Sequence, residues 1–214
     1  MMSLWGRLVR FGFRLLYHEM AFSYDWVSWW VSRGDWQRWQ ESAVRFLPSA
    51  SEGQLLELAH GTGDLQITLK RAGYQTIAYD FSAQMGRITR AKLIKQSFVP
   101  VLVRGRGQEL PFQAESFRAI VCTFPTDFIV HADTLSEVWR VLQPVGRLVI
   151  VLNGTLKRDV ILSRFIEWLY RITGQREARL PDWQAHFAQF GFAVRFEEVT
   201  WERSTAQLFI AEKK

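Results

Sequence analysis

Short apolar runs recur through the middle of the chain, separated by stretches with helical spacing. Leu55, Leu56 and Leu58 make the first run, and the spacing predicts strands at 54–59, 75–80, 99–103, 119–124, 147–152, 193–200 and 206–211. Helices are predicted between them, including 66–72 and 182–190. Apolar strands alternating with helices imply an α/β fold: a mostly parallel sheet with helices on both faces. The last two strands follow Gly191 with no room for a helix between them, so a hairpin closes the sheet.

The pattern changes at both flanks of this core. Residues 3–20 read as a helix with Leu4, Leu8, Phe11 and Leu15 on one stripe and Arg7, Arg10 and Arg14 on another, the profile of an interfacial helix or of one packed over the domain. Helix 35–46 ends before Pro48, and the loop 49–53 separates an N-terminal helical cap (1–48) from the core (53–214). A second basic, aromatic helix is expected at about 156–172, carrying Phe165, Trp168, Arg164 and Arg171. The chain reads as one domain, 1–214, with no internal repeat.

Composition narrows this picture. At 214 residues and 48% hydrophobic content the chain can bury a full core. The single cysteine, Cys122, lies in an apolar run, so a buried thiol in a reducing cytoplasm is expected. Arginines interrupt the N-terminal apolar stretch, which argues against a signal peptide, and no run approaches the ~18 apolar residues of a spanning helix. The net charge of +6 suits an anionic partner, either nucleic acid or a lipid surface. Six of the ten tryptophans precede residue 40, so the front of the chain has a different task from the core.

Candidate chemistry concentrates where the first strand ends. Glu57-Leu58-Ala59-His60-Gly61-Thr62-Gly63 reads as strand, tight glycine turn and helix start, with Asp64 in the first helical turn. Asp80 ends the second strand, roughly 20 residues after the turn, the spacing at which a carboxylate can accept from ribose hydroxyls. The turn resembles motif I of the class I S-adenosylmethionine (SAM)-dependent methyltransferases, with Ala59 at the place of the first glycine. Three more blocks resemble that family in order: Asp80-Phe81-Ser82-Ala83-Gln84-Met85, then Leu110-Pro111-Phe112 with Phe117, then Glu137 to Leu148. The front segment, with Tyr24-Asp25 and Gly34 to Trp39, looks like the entry of the ubiquinone/menaquinone-type subgroup. After strand four, Phe124-Pro125-Thr126-Asp127-Phe128 departs from that subgroup's pattern.

The resemblance implies a Rossmann-like fold of seven strands in the order 3-2-1-4-5-7-6. It implies that Gly61 and Gly63 pack against SAM, that Glu57 orders the loop and the amino-acid end, that Asp80 holds the ribose and that Phe81 flanks the adenine. Ala59, His60 and Thr123 would line the pocket, and S-adenosylhomocysteine would be the product. Arg106-Gly107 stands where the family has Asp-Ala, so backbone groups of Gly107 and Gln108 are expected to serve the adenine amine. Tyr24, Asp127 and His131 are the polar candidates for a general base near the strand-four mouth, with helix capping as the alternative for Asp127. No cluster has metal spacing, so no metal is expected.

The reading is a SAM-dependent methyltransferase acting on a small, lipophilic acceptor, peripheral to an anionic membrane. An RNA methyltransferase is the first alternative. A non-catalytic SAM-binding module is the second, suggested by Ala59, Arg106, Arg118 and Val145.

Overall fold

The computed structural model describes residues 34–156 and 183–214. Tyr24, the helix expected at 3–20 and most of the helix expected at 156–172 lie outside the described residues. In chain order the elements are α1 (Trp36–Glu41), β1 (Leu55–Leu58), α2 (Asp64–Arg71), β2 (Thr76–Asp80), α3 (Ala83–Lys95), β3 (Leu102–Arg104), β4 (Phe117–Thr123), α4 (Ala132–Val141), β5 (Leu142–Leu156), α5 (Trp183–Ala188), β6 (Phe192–Thr200) and β7 (Ser204–Lys213).

All four residues of β1 are buried, as a strand covered on both faces requires. It pairs in parallel with β2 and β4, and the seven strands run β3-β2-β1-β4-β5-β7-β6, the expected order. The expected closing hairpin is present: β7 is antiparallel to both β5 and β6. Alternation along the strands sorts the core into two clusters. Leu56, Leu58, Ile120, Cys122 and Ile150 face α4, whose Leu135, Val138 and Val141 form a buried stripe. Leu55, Val121, Val149 and Val151 face the other way, against Leu65 and Leu69 of α2 and Trp39 of α1.

Among the boundaries that differ from the sequence expectation, three have a local reason. The helix expected over 35–46 is α-helical only to Glu41 and then tightens into a 3-10 turn, Ser42–Phe46. Ser42 Oγ bonds the Trp39 carbonyl at 2.5 Å, competing with the backbone ladder. The third strand keeps only Leu102–Arg104, because Pro100 has no N–H for a ladder. The fifth strand starts early at Leu142, which pairs with Phe117 before a register shift.

That shift contains Val145, 56% exposed, at φ +58°. A β-branched residue is strained in the left-handed region, by about 1–2 kcal/mol. Glycine relieves this but frees the unfolded chain by about 0.4–1 kcal/mol. Val145→Gly is therefore expected to raise stability by up to about 1 kcal/mol. A urea midpoint that falls in this variant contradicts the strain.

Candidate active site

The chain leaves β1 through a turn in which Ala59 (φ +60°), Gly61 (φ +54°) and Gly63 (φ +83°) alternate as left-handed positions. Ala59 N donates to the Tyr79 carbonyl at 2.7 Å and Gly63 N to the His60 carbonyl at 3.0 Å, which closes the turn on itself and on β2. Space is unequal at the two glycines. Among the described residues a Cβ on Gly61 meets nothing within 4 Å, whereas one on Gly63 falls 2.5 Å from Thr89 Cγ2.

Thr89, fully buried on α3, braces the turn from behind. Its hydroxyl donates to the Gly61 carbonyl at 3.0 Å, and His60 Nδ1 stands 3.1 Å from Thr89 Oγ1 and 2.9 Å from the same carbonyl. Burial, the largest influence, pushes the His60 imidazole below its usual pKa, so it is held as a neutral buttress. Sequence reading missed Thr89; a β-branched polar residue inside a helix, about one turn beyond the Asp80–Met85 block, gives only a weak signal.

Asp80 ties the turn to α3. Its Oδ2 accepts from Gly61 N at 3.0 Å and its Oδ1 from Ser82 N at 2.7 Å, while Ser82 caps α3 by accepting from Met85 N. Each carboxylate oxygen keeps one further lone pair. Asp80 and His60 border a cleft of about 250 Å³ that continues between α3 and β3.

Glu57 lies within β1, 1% exposed, and its Oε2 has no hydrogen-bond partner. Burial, reinforced by Asp80 and Asp64, pushes its pKa up to about 8, against an opposing pull from Gln66. Gln66 is itself buried: its Oε1 accepts from Thr76 Oγ1 at 2.8 Å while its Nε2 has no partner of hydrogen-bond geometry. An orphaned buried carboxyl is the complement of a ligand ammonium, so these residues fit the amino-acid end of SAM. The sign of the linkage follows. From about pH 4.5 to 8 native Glu57 holds a proton that the unfolded chain has released, so stability falls as pH rises through that window. The span corresponds to roughly 3–5 kcal/mol at 1.36 kcal/mol per unit. Glu57→Gln is expected to flatten this slope in unfolding measured at pH 5 to 8; an equal slope in both proteins contradicts it.

On the other side of the turn lie the ends of β2 and β3. Phe81 is half exposed, with the guanidinium of Arg106 at 5.4 Å and that of Arg104 at 5.9 Å from its ring centre. Tyr79 OH donates to the carbonyls of Arg106 and Glu109, fixing the loop that carries Gly107 and Gln108. Gly107 is buried, and a Cβ there would meet Phe128 at 3.1 Å. Two blocks that are separate in sequence form one ion-paired unit: Arg140 donates to Glu137 and to the carbonyls of Leu110 and Phe112, and Glu137 accepts from Leu110 N.

At the mouth of β4, Thr123 Oγ1 accepts from Gln40 Nε2 at 3.3 Å, and Trp36 stacks on Phe124 at 4.1 Å. Trp36 and Gln40 thus bring α1 to the carboxyl edge of the sheet. Asp127 and His131 are exposed on the segment after β4. Asp127 does not cap the following helix: a 3-10 turn, Asp127–Val130, intervenes, and α4 starts after His131 without a side-chain cap bond. Arg118 and Val145 are at the opposite, amino edge, where Arg118 donates to the Val145 carbonyl and pairs with Glu52, so neither departure touches the glycine turn.

The sequence pattern of the ubiE/COQ5 methyltransferase family matches residues 12–176. A ubiquinone/menaquinone biosynthesis C-methyltransferase of Brucella canis is 31% identical over 165 residues, 73% of this chain; the chain spans 61% of that relative's length. A demethylmenaquinone methyltransferase of Thermus thermophilus is 32% identical over 210 residues, covering 87% of this chain and 95% of the relative. The fold is shared with phosphoethanolamine N-methyltransferase 2 of Haemonchus contortus, solved with SAM, at TM-score 0.62 and 16% identity over 84% of this chain and 53% of that one. The chain belongs to the ubiE/COQ5 methyltransferase family.

Proposed function

We propose that this chain methylates a small, lipophilic, quinol-type acceptor with SAM as donor. The observation that carries the reading is the buried Glu57 carboxyl, whose Oε2 has no hydrogen-bond partner among the described residues, beneath a braced glycine turn in a member of this family. SAM supplies an electrophilic methyl group on a sulfonium. The backbone at Gly61 and Gly63 admits the donor closely, Asp80 offers its spare lone pairs to the ribose, and Glu57 faces the amino-acid end. Phe81 covers the adenine, with Gly107 and Gln108 offering backbone groups to its edge, and Ala59, His60 and Thr123 line the pocket. The names of the Brucella and Thermus relatives support a quinone-type acceptor. The Trp36–Phe124 stack beside Thr123 supports a planar, apolar one.

The protein's own contribution is orientation and exclusion of water. A carbon acceptor activated by an adjacent hydroxyl must lose a proton, and Tyr24, Asp127 and His131 are the groups proposed to take it. The segment 1–33 is proposed to complete the cap, and the enzyme to work in the cytoplasm at a membrane surface. No described helix is long and apolar enough to cross a membrane.

The test is transfer of labelled methyl from SAM to a demethylated, short-chain naphthoquinol, with bulk RNA as the rival acceptor. Label extracted with the quinol and absent from RNA is expected. Label in RNA alone overturns the reading in favour of a nucleic-acid enzyme, and label in neither favours a binding module.

A further inference from the structure

The whole net charge of the chain resides in one unit of the fold. The chain carries 27 basic and 21 acidic residues, and residues 81–108 hold six basic residues and no acid. Removing Arg87, Arg90, Lys92, Lys95, Arg104 and Arg106 leaves 21 basic residues, equal to the acidic number. This unit is α3 and the edge strand β3. Lys92 is paired with Asp64, but Arg87, Arg90 and Lys95 are exposed and have no ion pair among the described residues. Arg87, Arg90 and Ile94 follow one another at helical spacing, so they share a stripe of α3.

Large apolar side chains stand exposed in the same unit: Val99 is 77% exposed, Ile94 59% and Val101 43%. The cleft of about 250 Å³ between α3 and β3 opens here, bordered by Arg87, Arg90 and Arg104. Asp80 is the one acid among the described residues that line it, and both its oxygens already accept backbone N–H groups.

We propose that the α3–β3 edge is the face by which this protein docks on an anionic lipid bilayer. Unpaired arginines match lipid phosphates in charge and in donor geometry. Exposed aliphatic side chains between them gain by entering the interface. Single-stranded nucleic acid fits less well, because it needs open aromatic faces for stacking, and Phe81, the exposed aromatic ring of the patch, lies against the Arg104 and Arg106 guanidiniums. The proposal deepens the reading of a lipophilic acceptor. It is independent of the arginines at 7, 10 and 14, and it sets the flank of the glycine turn beside the bilayer.

The experiment is co-sedimentation of the full chain with vesicles of phosphatidylcholine alone or mixed with phosphatidylglycerol. The variants are Arg87→Glu/Arg90→Glu, Ile94→Ser/Val99→Ser and Arg7→Glu/Arg10→Glu/Arg14→Glu. Binding to the anionic vesicles alone, weakening with salt, is expected. Arg87→Glu/Arg90→Glu should lower the partition coefficient about tenfold or more while the urea unfolding midpoint stays near that of wild type. Ile94→Ser/Val99→Ser should weaken binding with less change in salt dependence. Unchanged vesicle binding in both α3–β3 variants, or binding lost only in the Arg7/Arg10/Arg14 variant, overturns the proposal, as does preference for a single-stranded RNA competitor over the vesicles. Vesicle binding requires no turnover, so failure of the quinol assay leaves this result readable by itself.

Discussion

Gly63→Ala is expected to cost about 3 kcal/mol of stability and to remove measurable SAM binding. The new Cβ would sit 2.5, 2.7 and 2.9 Å from three side-chain atoms of Thr89, at a backbone angle of φ +83°. Left-handed strain costs about 1–2 kcal/mol and overpacking about 1–3 kcal/mol. Thr89 cannot swing away without giving up its bond to the Gly61 carbonyl. Gly61→Ala is the control, since nothing among the described residues lies within 4 Å of a Cβ there and only strain applies. Adding Thr89→Ala to Gly63→Ala should recover part of the loss, and urea unfolding of wild type, Gly63→Ala, Thr89→Ala and the double variant gives the coupling directly. Additive effects would show that Thr89 does not brace the turn.

Asp80→Ala is expected to weaken SAM binding about 100-fold. The carboxylate orders the site as well as touching the donor, because it accepts from Gly61 N and Ser82 N. Hydrogen bonds to a charged group are worth about 1.5–3 kcal/mol each, and the loss leaves two backbone donors without that partner. Asp80→Asn keeps one acceptor oxygen and turns an NH2 toward a backbone N–H, so it should fall between wild type and Asp80→Ala. Calorimetry showing equal affinity for wild type and Asp80→Ala would remove Asp80 from the site.

The strands and the closing hairpin were legible because their signals are local and periodic, whereas the order of the strands came from the family resemblance that the motif blocks carry. The four motif blocks were equally legible, and the fold joins two of them through Arg140 and Glu137, a contact that no spacing announces. What stayed hidden depends on long-range packing. Thr89 and Gln40 reach the site from other elements, and their residue types carry no signature. Asp127 was misjudged as a cap because the 3-10 turn after β4 delays the next helix. Ala59, at the place of the first glycine in the resembled motif, and Val145 both take the left-handed backbone that favours glycine, each at the cost of strain. Arg118, read as a sign of lost catalysis, serves an ion pair at the far edge of the sheet.

Placement of SAM at the Gly61–Gly63 turn underlies the functional reading, and calorimetric titration of SAM at pH 7 and pH 8.5 tests it most directly. One site per chain is expected, with proton release at pH 7 that falls to roughly a quarter of that at pH 8.5. The reason is that a bound ammonium favours ionised Glu57, whose pKa in the free protein is about 8. Tight binding without proton release at pH 7 would take Glu57 out of contact with the donor. Absence of binding at either pH contradicts the placement of SAM at this turn.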